Sequence, residues 1–433
     1  MRNVLKGLAI ATLLTSPALV HAETVVIACG PKGDEFEQCE KGAKAWARKT
    51  GHEVRLVSGP RNTTEQLTLF QEQLKQQRLN ADSPKIDVYR IDVTWPGLLA
   101  EHFIDLKPYV SEEVLQQHFP AIVRNNTVGG KLVAMPWFID AGLLYYRKDL
   151  LEKHGQKPPT TWQELATVAK TVQEAEHKLG NKELWGFVFQ AKEDEMLTCN
   201  ALEWIGSFGG GTIVDEDGKV TINEPEAVEA LKMAASWIET ISPKAVLNYE
   251  EEDALRDFRS GKAVFMRNWT KEWVNANAKG SKVKGKVTSK GEVAVMALPK
   301  GGQDGQSIGT LGGWQLAVSR YSKHPEIAAD LVKYLTSPEE QERRAIKATF
   351  SPTVMALYQD PEVLKANPFY KSLLETFTTA VARPSHVTGP HYISVSTEFF
   401  NTVHAVLSKS GKPEDKLKDL QKTLEGMSNK DKW

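Results

Sequence analysis

What most constrains this chain is an alternation near its start. Residues 24–28 are a short apolar run suited to a buried strand, and residues 35–49 carry Phe36, Cys39, Ala43 and Trp46 at helical spacing. Residues 53–57 read as a second strand, 64–78 as a helix and 86–91 as a third strand. A βαβαβ order demands a parallel sheet whose strands are joined by right-handed crossovers. Further strand candidates lie at 143–146, 185–190, 263–266, 293–298 and 315–318. Helices interleave with them. Thr161 with Glu164 forms a capping box opening a helix to about residue 179, and Pro225 opens another to about 239. Beyond Pro325 the chain is nearly all helical, with candidates at 325–347, 370–380, 392–408 and 413–427.

The character of the sequence changes near 130–142, where Gly129-Gly130-Lys131 leads into a strand-like crossing, and again at 299–309. Two crossings imply two lobes, with the chain returning to the first after building most of the second. A length of 433 residues suits two or three compact units, and 41% hydrophobic content is enough for real cores. There are no internal repeats. The basic Gly/Ser/Lys stretch at 279–290 reads as a solvated loop.

Residues 1–22 read as a cleavable signal peptide: Arg2 and Lys6, an apolar run from Leu8 to Leu14, then Val20-His21-Ala22. The run is too short to span a bilayer, and no later stretch approaches the roughly 20 apolar residues a spanning helix needs. Val26-Ile27-Ala28-Cys29 formally resembles a lipoprotein cleavage box, but Glu23 and Thr24 separate it from the apolar run. The mature chain is therefore expected to be exported and soluble. In an oxidising compartment the three cysteines, Cys29, Cys39 and Cys199, allow at most one internal pair. A Cys29–Cys39 bridge is geometrically possible, and three buried thiols are the alternative. With 10 scattered His and no ligand spacing, no metal site and no cofactor is expected.

Lys plus Arg is 54 and Asp plus Glu is 55. That balance argues against nucleic acid, which needs a basic footprint, and against a polybasic membrane surface. The chain carries 11 Trp. Indole is costly to leave exposed, so these rings fill cores or line a surface that something covers.

In open α/β sheets ligands sit outside the carboxyl ends of the strands. The loops to inspect are therefore 30–35, 58–64, 92–95, 137–140, 267–269, 311–314 and 383–384. They repeatedly bring an acid or an arginine together with an aromatic ring. Sugars ask for that pairing: carboxylate and guanidinium take bidentate hydroxyl hydrogen bonds, and indole faces cover the C–H side of a pyranose. Each element also has a plainer reading. Trp46, Trp162 and Trp237 fall within helices and read as packing. Asp92 is placed to cap the helix near Trp95, Arg267 or Arg383 to form an interlobe salt bridge, and Asp140 to serve a turn. Gly305-Gln306-Ser307-Ile308-Gly309 matches a nucleophile elbow by chance, lacking the strand before and helix after it. The acids at 250–253 read as the start of a helix. No Walker A or dinucleotide fingerprint is present.

The runs Met135-Pro136-Trp137-Phe138-Ile139-Asp140-Ala141-Gly142, Arg267-Asn268-Trp269 and Leu311-Gly312-Gly313-Trp314 resemble the family 1 extracellular solute-binding proteins of ABC importers. Asp87 to Trp95, Cys199 to Glu203 and Val381 to Pro384 match that family too, most closely its trehalose/maltose-binding branch. The resemblance implies a periplasmic-binding-protein fold, two α/β lobes joined by a hinge with the ligand cleft between them. The expected division is 23–138 with 304–351, and 139–303 with 352–433.

Carried over residue by residue, Asp92 and Asp140 resemble sugar-hydroxyl acceptors and Arg383 a donor. Gly312 and Gly313 permit close backbone approach, and Phe138, Trp269 and Trp314 resemble stacking platforms. Glu35 is the acid after the first strand, with Glu37 open as an alternative. Ser58 and Thr64 bound the second loop. Phe138 stands where tyrosine is common, and Leu67 where arginine often follows the Glu-Gln pair, which bears on the identity of the sugar. The resemblance implies a monomer that binds a disaccharide and partners ABC permease subunits. A polyol or glycosylated osmolyte is the alternative cargo, and a secreted glycoside hydrolase the rival from another class.

Overall fold

The computed structural model describes residues 22–80, 83, 85–276, 291–302, 304–431 and 433. The expected export segment, up to residue 21, and the loop expected at 279–290 lie outside the described residues. The opening alternation forms as the pattern demands. Strand β1 (Thr24–Ala28), helix α1 (Asp34–Thr50), strand β2 (Glu53–Val57), helix α2 (Thr63–Leu79) and strand β3 (Val88–Asp92) follow in order. β1 pairs in parallel with both β2 and β3. Side chains alternate across a strand, so Val25 and Ile27 join Trp46 of α1 in one core while Val26 and Ala28 join Phe70 of α2 in the other. A parallel sheet covered on both faces is the outcome that an all-apolar strand requires.

Beyond β3 the chain forms β4 (Thr127–Val128), β5 (Lys131–Leu132) and β6 (Met135–Arg147). Then come β7 (Trp185–Val188), β8 (Ala263–Trp269), β9 (Val293–Ala297) and β10 (Leu311–Val318). The principal sheet runs β2-β1-β3-β10-β6-β8-β7, with β9 against β6. β6 belongs to both lobes. Its first half pairs antiparallel with β10, from Leu316↔Met135 to Leu311↔Ala141. Its second half lies between β8 and β9. The cores divide along the same strand. Met135, Trp137 and Phe138 pack in the first lobe, and Ile139, Ala141 and Leu143 to Tyr145 pack in the second. A further crossing follows the last long return, where Ile139 N donates to Ser351 O at 3.1 Å.

Three readings need correction. Residues 137–140, 267–269 and 311–314, expected as loops, are strand residues of β6, β8 and β10. The central strands are paired on both sides, so extending them satisfies backbone groups that a buried loop would leave bare. The helix expected at 325–347 is two helices, Pro325–Leu335 and Pro338–Ala348, because Pro338 has no N–H to continue the ladder. Ser337 caps the second by accepting from Glu340 N at 3.4 Å. In the capping box, Thr161 does accept from Glu164 N at 3.1 Å, but the Glu164 carboxylate returns to Thr160 rather than Thr161.

The helical tryptophans are core: Trp46, Trp162 and Trp237 are each buried, the last two with ring centroids 5.5 Å apart. Cys29 and Cys39 are joined, and Cys199 is free and buried. The bond ties the end of β1 to α1 across the turn that carries Glu35. Closing a loop of 10 residues should stabilise the fold by about 3 kcal/mol through the unfolded chain. Replacing both cysteines by alanine is expected to lower the thermal midpoint and to remove its sensitivity to reductant. A midpoint unmoved by dithiothreitol in the native protein would contradict this.

Candidate functional site

The register of four adjacent strands assembles the site. Asp92, the last residue of β3, lies opposite Trp314 of β10, and Trp314 lies opposite Phe138 of β6. Two residues along, Gly312 faces Asp140, and Gly142 then faces Trp269 at the end of β8. Residues far apart in sequence thus become neighbours through backbone hydrogen bonding alone. The two glycines are required by this closeness. A Cβ at Gly313, where φ is +118°, would lie 2.3 Å from the Phe138 carbonyl. A Cβ at Gly312 would lie 2.9 Å from the Trp269 ring.

On the first-lobe side, the Asp92 carboxylate accepts from Thr94 N at 2.9 Å and Thr94 Oγ1 at 2.7 Å. This Asx turn opens α3 (Trp95–Leu99) and orients the acid. Glu35, in the first turn of α1, pairs with the Arg90 guanidinium, and Gln66 accepts from Arg90 at 3.3 Å. Glu37 points elsewhere, exposed and facing Lys41, so Glu35 is the acid turned toward the strand ends. Trp314 is partly exposed. Arg90 Cζ covers one face of its ring at 3.2 Å from the centroid, and Trp95 meets it edge-on at 5.6 Å.

Across the crossing strands, Asp140 is buried. Its Oδ1 accepts from Thr270 N at 2.7 Å, from Thr270 Oγ1 and from Ala141 N at 3.1 Å. Burial pushes its carboxyl up to about 7, with the Lys271 charge and the Thr270 hydrogen bonds opposing and Glu251 assisting. Trp269 Nε1 donates to Glu251 at 2.7 Å, and Lys271 pairs with the same carboxylate at 3.1 Å. Burial works against the Lys271 ammonium, but Glu251, Glu272, Glu35 and Asp140 together hold its pKa above the usual lysine range. Beneath Trp269, Arg267 and Glu203 form a wholly buried pair, Nε to Oε2 at 2.9 Å, and Glu203 also accepts from Thr310 N at 3.1 Å. Arg383 is buried and pairs with Glu195 at 2.7 Å. It lines a small recess with Val93, Thr94, Asn125, Leu311, Ala382 and Ser385, beside the turn that holds Asp92.

Of the residues singled out from sequence, Asp92, Asp140, Trp269, Gly312, Gly313 and Trp314 lie at the junction of β3, β10, β6 and β8, with Glu35 and Arg383 on adjoining segments. Three, Phe138, Ser58 and Thr64, are placed differently. Phe138 is turned inward, 2% exposed, against Trp137 and Phe350. The register shift between Trp314 and Gln315 accompanies this change of facing. Ser58 and Thr64 are exposed at the rim, and the residue of that segment that reaches inward is Gln66. Trp95 and Trp137, which also fall in the inspected segments, are core residues. Sequence reasoning passed over Arg90, Glu251, Lys271 and Glu195. Arg90 had a signal: it stands two residues before Asp92 and so shares its face of β3. The acids at 250–253 do open a helix, Glu251–Arg259, through a Glu250/Asp253 capping box, yet Glu251 itself turns to Trp269.

Among the described residues, no group of three or more His, Cys, Asp or Glu could hold a metal ion, and no helix is long and apolar enough to cross a membrane. The arrangement offers hydrogen-bond acceptors, guanidinium donors and indole faces.

Because Asp140 holds its proton to about pH 7 when folded but only to about pH 4 when unfolded, the native state binds the extra proton between those values. Stability should therefore fall as pH rises from about 4 to 7 through this group. Asp140→Asn is expected to flatten the pH dependence of the unfolding midpoint in that window. An identical slope in the variant would show that Asp140 does not titrate there.

The profile of the bacterial extracellular solute-binding proteins matches residues 31–342. A probable ABC transporter-binding protein of Deinococcus radiodurans is 50% identical over 419 residues, covering 96% of each chain. The maltose-bound MalE3 of T. maritima superposes with a TM-score of 0.81 at 38% identity, over 94% of this chain and all of that one. A ribitol-bound solute-binding protein of Agrobacterium radiobacter shares the fold at 21% identity, with a TM-score of 0.75 over 93% of this chain and 98% of that one. A two-lobed α/β chain with its strand ends gathered around a shared crossing strand, matched over most of its length in both sequence and structure, belongs to the bacterial extracellular solute-binding protein family.

Proposed function

We propose that the chain is the substrate-binding component of an ABC sugar importer, that its cargo is a disaccharide of the maltose/trehalose type, and that it binds by closing two lobes on that cargo. The family binds solutes for ABC permeases outside the cytoplasm and is not enzymatic. What carries the finer reading is the pairing of two indoles, Trp314 and Trp269, with a ring of acids and arginines at the junction of β3, β10, β6 and β8. The 38% identity to a maltose-bound protein over nearly the full chain supports the same cargo. Asp92, Asp140 and Glu35 accept from sugar hydroxyls, Arg383 donates, and the indoles cover the apolar faces of the rings. The division 23–138 with 304–351 against 139–303 with 352–433 puts Asp92 and Trp314 on one jaw and Trp269 and Arg383 on the other. A ligand that touches both jaws only when they are closed shifts the population toward closure. The closed monomer then docks on the permease in the periplasm, to which a cleaved segment 1–22 delivers it.

Isothermal titration against maltose, trehalose, sucrose, mannitol and ribitol tests this directly. Binding of an α-linked disaccharide with quenching or shift of tryptophan fluorescence is expected. Binding of a polyol alone would replace the cargo while leaving the class, and release of glucose from maltose would overturn the transport reading. Trp314→Ala should weaken disaccharide binding by about 1–3 kcal/mol, the scale of a lost aromatic stack, with the fold intact. An unchanged affinity would return Trp314 to a packing role.

A further inference from the structure

Each of the two cleft indoles is backed by a buried arginine, and each arginine is held by a glutamate from a separate element. In the first lobe Arg90 of β3 stacks on Trp314 at 3.2 Å from the ring centroid and is paired with Glu35 of α1. In the second lobe Arg267 of β8 stacks on Trp269 at 4.2 Å and is paired with Glu203, from the helix Glu195–Ser207. The Arg90 side chain is 2% exposed, and both side chains of the Arg267–Glu203 pair are 0% exposed. The same device has been built twice from unrelated segments, once behind each ring.

The surrounding backbone makes room for both. A Cβ at Gly30 would lie 2.8 Å from Arg90 Nη1. A Cβ at Gly142, in the crossing strand, would lie 2.0 Å from Glu203 Oε1 and 2.7 Å from Arg267 Nη2. Stability alone does not account for such pairs, because apolar residues of similar volume would serve as well or better than a buried ion pair. Neither arginine is fully satisfied: Arg90 Nε and Arg267 Nη1 are buried without a hydrogen-bond partner. Stacking by itself marks nothing, since Arg344 lies 4.9 Å from the centroid of the core ring Trp137 and donates to the Trp137 and Leu335 carbonyls. Trp314, which is partly exposed, and Trp269, which is 5% exposed, differ in standing beside Asp92 and Gly312, where the proposed cargo would lie.

We infer that Arg90 and Arg267 are positioning residues for the cargo. Each guanidinium covers one face of its indole, fixes the ring's rotamer and leaves the opposite face as the stacking surface. The glutamates hold the guanidinium planes and therefore the tilt between the two platforms. A pre-set pair of platforms loses little freedom on binding and favours the flat apolar faces of pyranose rings over a flexible acyclic polyol. The inference rests on the sugar-binding reading above, and its test separates the two.

Arg90→Lys and Arg267→Lys keep the charge but lose the planar stack. The double variants Arg90→Met/Glu35→Gln and Arg267→Met/Glu203→Gln remove each pair without stranding a buried charge, and serve where a lysine variant does not fold. For each folded variant, near-ultraviolet circular dichroism of the sugar-free protein is compared with that of Trp314→Phe and Trp269→Phe. Maltose affinity is measured by titration. The expected result is loss of the same dichroic bands that the matching tryptophan substitution removes, together with about a tenfold loss of maltose affinity. Folded variants with native bands and native affinity would overturn the inference. If the unmodified protein binds no sugar, the functional reading fails, while the dichroism still decides whether the arginines set the rings.

Discussion

The antiparallel pairing of β6 with β10 is the constraint on which the rest of the structure depends. β6 is long enough to serve both lobes, pairing with β10 over its first half and with β8 and β9 over its second. Because the strands pair through alternating backbone hydrogen bonds, the register of this crossing is discrete. A slip by one residue would turn Asp140 away from Thr270 and move Gly312 from beside Trp269. The absence of side chains at Gly312 and Gly313 is what lets the strands and the indole approach. The site is thus a property of a ladder, and its precision follows from backbone hydrogen bonds rather than from loop conformation.

Around that ladder the protein buries more charge than stability requires. Glu203–Arg267 is removed from water altogether, and Asp140 sits where its carboxyl titrates near neutrality. In a low-dielectric setting such groups hold their geometry firmly, and they are costly when a partner is missing. A neutral, hydroxyl-rich solute needs that kind of surface. It offers no net charge to steer on, so selectivity comes from the placement of many modest hydrogen bonds.

How far the sequence could be read is clear from particular residues. Val25 to Ala28 and the alternation that follows made the first lobe's parallel sheet legible, since a fully apolar strand has only one kind of environment. Asp92 and Trp269 stand out in the sequence because they close their strands, whereas Trp314 lies within β10 and meets Asp92 only through strand pairing. Phe138 was misjudged because one-dimensional spacing does not reveal a register shift, and the shift beside Trp314 accompanies a ring turned into the core. Lys271 and Glu251 were passed over because each has an ordinary surface explanation. Their relation to Trp269 depends on the helix Glu251–Arg259 lying against β8.

The sequence by itself determined the fold class, the two-lobed organisation and the residue types available for binding, because periodicity, glycine pairs and punctuation are local signals. Only the tertiary structure decided that Cys29 pairs with Cys39, that Glu35 rather than Glu37 turns to Arg90, and that Trp95 and Trp137 are buried in the core while Trp314 stays partly exposed opposite Asp92. These outcomes turn on which side chains meet across segments tens to hundreds of residues apart. That information resides in strand register and core packing, which no local pattern encodes.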